Sequence, residues 1–140
     1  SIDGISLQAA TCCHPVPGDR IIGQMRGGHG LSIHRMDCET ARKQISRDAE
    51  RWIDVEWDEE VSGMFRTLIE ITADDERGIL GRIASEITAS NADILQVAMD
   101  TESEQVAIIR FTLQVQDRDH LAEVFRRLRK LPQTRTITRA

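Results

Sequence analysis

All three cysteines of the chain, Cys12, Cys13 and Cys38, and three of its four histidines, His14, His29 and His34, fall within residues 12–38. Thiolate and imidazole are the donors that a tetrahedral Zn²⁺ prefers, and Cys12, Cys13, His34 and Cys38 make a Cys₃His set. The His34-x₃-Cys38 half has ordinary ligand spacing, and His14 and His29 stand in reserve. Other chemistries use the same residues. Buried, metal-free thiols beside a structural histidine are one. A nucleophilic Cys12 or Cys13 activated by His34 or His14 is another, although no oxyanion device accompanies it. A dithiol redox centre lacks its Cys-x-x-Cys.

Adjacent side chains in an extended segment point to opposite faces, so Cys12 and Cys13 can serve one ion only from a tight turn. Pro15 and Pro17-Gly18 follow closely enough to build one. Residues 21–25 and 31–34 are short and apolar and flank the loop Arg26-Gly27-Gly28-His29-Gly30, which predicts a hairpin with glycines at positive φ. Asp37 is the expected cap of a helix running to about residues 44–47.

The second half has a different rhythm. Residues 66–73 alternate as a strand, and the acidic loop Asp74-Asp75-Glu76-Arg77-Gly78 follows. Ile79, Leu80, Ile83, Ala84 and Ile87 then recur at helical spacing. Leu95, Val97 and Met99 alternate, a turn is expected over residues 100–104, and Ala107, Ile109, Phe111, Leu113 and Val115 line one side of a long strand. Asp117 or Asp119 can cap a helix with the stripe Leu121, Val124, Phe125, Leu128, which Pro132 ends before a short strand over residues 134–138. The reading is α+β: a small Cys/His domain over residues 1–61, then βαββαβ with ferredoxin-like topology over residues 65–140.

At 140 residues and a hydrophobic content of 40%, the chain holds two small folded domains and too little for an ordinary multi-domain enzyme. No apolar run approaches the ~20 residues of a membrane helix, so a cytoplasmic protein without membrane contact is expected. The first residue is Ser rather than Met, which suggests a segment of something longer. The formal net charge of −5 conceals segregation. Residues 12–47 carry six basic and three acidic side chains, residues 48–61 one basic and seven acidic, and residues 126–140 six basic and no acidic ones. Two basic patches are therefore available to phosphates, or are simply solvated faces.

The string Thr11-Cys12-Cys13-His14-Pro15-Val16-Pro17-Gly18-Asp19-Arg20-Ile21-Ile22-Gly23, with the Gly-rich loop, Ser32-Ile33-His34-Arg35 and Asp37-Cys38, resembles the Cys/His (zinc-finger or ribosome-intersubunit) domain of long RelA/SpoT homologues. Those enzymes make and hydrolyse (p)ppGpp. Residues 66–140, with Asp-x-x-x-Gly-Ile-Leu-x-x-Ile and Asn91-Ala92-Asp93-Ile94, are similar to the ACT domain, an amino-acid-binding regulatory module. Glu76-Arg77-Gly78 departs from the usual Asp-Arg-Pro-Gly there. In those homologues an ACT domain follows the Cys/His domain directly.

The resemblance implies a regulatory segment without catalysis of its own. It would be coupled to N-terminal catalytic domains with (p)ppGpp synthetase (GTP pyrophosphokinase) and hydrolase activity in the stringent response. It implies Cys12, Cys13, His34 and Cys38 as the Cys/His set, with Zn²⁺ as cofactor. It also implies contact with the ribosome and its rRNA or tRNA, for which Arg20, Arg26, His29 and Arg35 are the expected RNA-binding residues. An amino-acid effector, branched-chain as a first guess, would meet Asp74 or Asp75 through its ammonium. Its carboxylate would meet the free N–H groups of Gly78, Ile79 and Leu80; the alternative at this position is an ordinary solvated turn with Asp74 as the cap. A homodimer through the ACT domain would let Asn91, Asp93, Ile94 and Gln96 complete a neighbour's site. The alternative is a stand-alone amino-acid sensor with a structural Cys/His clip, and a small zinc or thiol enzyme is a third class.

Overall fold

The computed structural model describes residues 7–101, 103 and 105–140. The chain divides into two compact units, Ser1–Val61 and Ser62–Ala140.

The first unit is a four-stranded sheet with one helix. Its strands are β1 (Leu7–Ala9), β2 (Ile21–Met25), β3 (Leu31–Arg35) and β4 (Trp52–Asp54), and its helix is α1 (Glu39–Arg47). The sheet order is β1-β3-β2-β4. β2 and β3 form the expected hairpin, with Ile22 opposite His34 and Gln24 opposite Ser32. The loop between them is a 3-10 turn, Gly27–His29, and Gly27 and Gly30 take φ values of 57° and 83°, a region open to glycine at little cost. Two short strands escape the sequence pattern. β1 joins β3 in parallel and β4 joins β2 antiparallel. Three residues are too few to show a period.

The core of this unit is thin. Ala10, Cys13, Ile22, Cys38, Ala41 and Trp52 form one buried cluster, Ile45 packs partly against it, and Val16, Ile21 and Leu31 are buried apart from it. A domain of about 60 residues with so little apolar matter usually needs a disulfide or metal staple. Among the described residues the three cysteines are unpaired thiols.

The second unit places strands β5 (Phe65–Asp74), β6 (Asp93–Thr101), β7 (Val106–Val115) and β8 (Thr134–Arg139) with helices α2 (Ile79–Ala89) and α3 (Arg118–Arg129). The order β6-β7-β5-β8 is antiparallel throughout. Period-two alternation sends Ala107, Ile109, Phe111, Leu113 and Val115 of β7, and Ile69, Ile71 and Ala73 of β5, to one face, all fully or nearly fully buried. Ile79, Ile83 and Ile87 of α2 and Leu121, Val124 and Leu128 of α3 supply the helix side of that core. Each fully buried aliphatic side chain contributes about 1.5–3 kcal/mol of transfer free energy.

Asp117 caps α3 by accepting from the His120 amide at 2.7 Å. The His120 ring accepts at Nδ1 from the Gln116 amide at 2.9 Å, so Nε2 carries the proton and donates to the Ser90 carbonyl at 2.6 Å, tying α3 to the end of α2. Glu102 and Glu104, in the turn expected over residues 100–104, lie outside the described residues.

Candidate metal centre and ligand sites

The adjacent cysteines converge because the chain turns through them. The His14 amide donates to the Ala10 carbonyl at 2.9 Å, and His14 takes a left-handed φ of 45°. Both thiols of the enclosed turn consequently face one point. Cys38 arrives from the N-cap position of α1. Asp37, the expected cap, instead lies 3.2 Å from the Arg35 guanidinium. His34 arrives from β3, on the sheet face it shares with Ser32.

The four ligand atoms of Cys12, Cys13, His34 and Cys38 lie within 4.8 Å of one another. Cys12 Sγ is 3.3 Å from His34 Nδ1, 3.6 Å from Cys38 Sγ and 4.0 Å from Cys13 Sγ. Cys13 Sγ is 3.9 Å from His34 Nδ1. A tetrahedron with Zn–S near 2.3 Å and Zn–N near 2.0 Å has edges of about 3.5–3.8 Å, so the donor set fits Zn²⁺ in kind, number and approximate spacing.

The surroundings suit a metal as well. The His34 ring directs Nδ1 at the thiols while Nε2 lies 3.4 Å from Ser32 Oγ, the outer hydrogen bond that fixes a ligating imidazole. The Arg35 amide donates to Cys13 Sγ at 3.3 Å. Trp52 packs edge-on to His34, with ring centroids 5.1 Å apart.

Without an ion, the electrostatics work against bare thiolates at two positions. Burial pushes the Cys13 thiol up to about 12. Burial, then neighbouring Cys38, raises Cys12. At Cys38 burial opposes ionisation but is outweighed by the Ala41 amide, the other two thiols and the Thr40 amide, so this thiol lies below its ordinary value. Burial and then the charge of Arg26 lower His34 and favour the neutral imidazole that a metal requires. The reserve histidines are not among the four: His14 lies outside the cluster, and the side chain of His29 lies outside the described residues.

The expected RNA-binding residues do not form one patch. Arg20 and Arg26 are exposed but flank opposite ends of β2, six positions apart in extended chain and therefore about 20 Å apart. Arg35 is 9% exposed and paired with Asp37, so its position corrects the expectation of a surface guanidinium. Its place in β3, beside Cys13, draws the side chain against the sheet. The basic C-terminal run is likewise engaged in part. Arg126 pairs with Glu123, Arg127 with Glu86 and Glu123, and Arg129 lies 5.6 Å over the Phe125 ring.

In the second unit Gly78 opens α2 with a φ of 82°, a left-handed conformation open to glycine at little cost, and the space beside its Cα is open. The Ile79 amide already donates to the Glu76 carbonyl at 3.1 Å, and the Ile79 side chain is buried. The Gly78 and Leu80 amides have no partner among the described residues. Asp74 accepts from Arg135 Nε at 2.6 Å and Glu76 is engaged by Arg82 and Gln133. Asp75 is the exposed carboxylate left to meet an ammonium group. Asn91, in a left-handed turn with φ 64°, and half-buried Ile94 lie beyond the far end of α2. Eleven helical residues place them about 16 Å from Gly78, so both ends meet one small ligand only if a second copy supplies one of them. Asp93 and Gln96 sit exposed at the same end.

Sequence reasoning missed the role of Ser32 beside His34. Ser32 was accessible to it, since a strand places Ser32 and His34 on one face. Among the described residues, no helix is long and apolar enough to cross a membrane.

Comparison with known proteins matches residues 1–58 to the RelA/SpoT RIS domain and residues 62–139 to the ACT domain. A GTP pyrophosphokinase of Streptomyces coelicolor is 35% identical over 128 residues, 91% of this chain and 15% of that protein. The bifunctional (p)ppGpp synthase/hydrolase RelA of Mycobacterium tuberculosis is 34% identical over the same share of this chain and 17% of its own length. The bifunctional (p)ppGpp synthase/hydrolase SpoT of Escherichia coli is 31% identical over 98% of this chain and 19% of its own. The chain therefore spans less than a fifth of these relatives. A crystal structure of the ACT domain from a GTP pyrophosphokinase of Chlorobium tepidum superposes with a TM-score of 0.50 at 20% identity, covering 56% of this chain and all of that one. That likeness concerns the fold.

Proposed function

Because this chain belongs to the ACT-domain family and, with its RelA/SpoT RIS domain, corresponds to the C-terminal region of long RelA/SpoT homologues, we propose that it is a regulatory segment of a cytoplasmic (p)ppGpp synthetase/hydrolase. It carries no catalysis itself and transmits starvation signals to N-terminal catalytic domains. The observation that carries this reading is the ordered pair of modules in one chain, a four-donor Cys/His unit followed directly by a βαββαβ sensor.

Each module has its own input. Zn²⁺ held by Cys12, Cys13, His34 and Cys38 would brace the first unit, whose exposed Arg20 and Arg26 meet phosphates of ribosomal RNA or tRNA. An amino acid, with branched-chain side chains as the first candidates, binds at the second. Its carboxylate faces the Gly78 and Leu80 amides and its ammonium faces Asp75. The far end of α2, through Asn91 and Ile94 of a second copy, completes the enclosure. The homodimer uses edge strand β6, where Leu95, Val97 and Met99 are 41–43% exposed.

Ribosome pelleting across a salt series tests the first input. Binding that weakens with salt and falls on reversing Arg20 and Arg26 to Glu is expected, and unchanged binding by that double variant sinks it. Calorimetry with the protein amino acids tests the second: saturable heat lost in Gly78→Val supports the site, and silence across the set removes it.

A further inference from the structure

Beside the metal centre lies a cavity of about 260 Å³ that the zinc site does not use. Cys12 and His34 border it together with Ala10 and Ser32, and Thr11, Gln24, Arg26, Thr40 and Gln44 complete the lining. Its amides and threonine hydroxyls keep unused hydrogen-bonding capacity. Gln24 Nε2 donates to Gln44 Oε1 at 3.0 Å, and a single amide–amide bond leaves a further carbonyl oxygen on one side chain and free N–H groups on both. The hydroxyls of Thr11 and Thr40 make no side-chain hydrogen bond among the described residues, and Arg26 makes no ion pair there.

The charges select the occupant. Three thiolates around one divalent ion would leave the adjoining Cys₃His centre with a net negative charge that disfavours an anion, and the unpaired Arg26 guanidinium disfavours a cation. What remains is a neutral group that both donates and accepts along its edge. The volume sits just below the roughly 300 Å³ at which pockets for drug-sized ligands begin, enough for one ring system. A nucleobase is such a group. Arginine and glutamine are the side chains that pair its donor and acceptor edges two at a time, and in RNA an unstacked base offers those edges only from single strands, loops or bulges.

The geometry points to this cavity as a socket for one unstacked nucleobase of single-stranded RNA, held at its edge by Gln24, Gln44 and Arg26 beside the metal centre. The inference rests on the RNA-contact reading and narrows it from phosphate attraction to base capture.

Fluorescence anisotropy with the zinc-loaded chain tests it. The probes are a labelled single-stranded RNA octamer, the same octamer in a perfect duplex, and free guanosine and adenosine as competitors. The expected results are tighter binding of the single strand than of the duplex, and a roughly tenfold loss in Gln44→Leu and in Gln24→Leu, the size of one lost edge contact. Zinc content measured on each variant must remain at the wild-type level, which separates a lost socket from a collapsed fold. Variants that keep their zinc and bind the single strand as wild type does overturn the socket while leaving phosphate contact standing. Wild-type protein that binds neither RNA sinks both readings, unless guanosine or adenosine saturates the cavity alone, which replaces RNA by a free nucleoside as the source.

Discussion

Ser32 does two things at the scale of single residues. It pairs across the hairpin with Gln24, and its hydroxyl meets the ring nitrogen of His34 that faces away from the thiols. Ser32→Ala removes the hydroxyl 3.4 Å from His34 Nε2, and zinc affinity should fall about 10–100-fold; competition with a chromogenic chelator measures it. Metal uptake should also expel protons. Cys13, pushed up to about 12, and Cys12, also raised, hold their protons near pH 7 in the metal-free chain, whereas zinc takes thiolates. At least about two protons per ion should leave at pH 7, and affinity should decline as pH falls. Calorimetry in buffers of different ionisation enthalpy reads the number directly.

Whole elements were legible in the sequence where a period had room to repeat. The stripe Ile79, Ile83, Ile87 and the alternation from Ala107 to Val115 announce helix and strand because a buried face must recur every 3.6 or every two residues. β1 and β4 have three residues each and owe their existence to the neighbours they pair with, which no local pattern records. The donor set was legible by residue type, and its convergence was not, since it depends on the turn from Ala10 to His14. Arg35 was misread because charge ordinarily signals solvent, while here Asp37, two positions on, offsets its burial. Capping follows the same logic. Asp117 was legible as a cap of α3, and Asp117→Ala should cost about 1 kcal/mol, seen as a lower urea midpoint with an unchanged slope. Asp37→Ala should leave α1 nearly unaffected, since Cys38 holds the cap position.

Over the molecule as a whole, the two units draw stability from different sources. Phe111 and the isoleucines around it make an apolar core in the second. The first has a thin apolar cluster and a donor set. Both tryptophans, Trp52 and Trp57, lie in the first unit, and the chain has no tyrosine, so indole emission reports that unit while far-ultraviolet dichroism reports both. Adding a strong chelator to zinc-loaded protein should shift the emission transition to lower temperature. The dichroism should keep a second transition at its original position. Equal shifts in both signals would show that the metal supports the entire chain.

The donors are unequally sheltered: Cys13, His34 and Cys38 are buried, and Cys12 faces solvent. An ion held there has one open corner. A small competitor gains its first foothold at that corner before the enclosed donors let go, so release should be associative, its rate climbing with competitor concentration. Compact thiols should outpace bulky chelators of equal affinity.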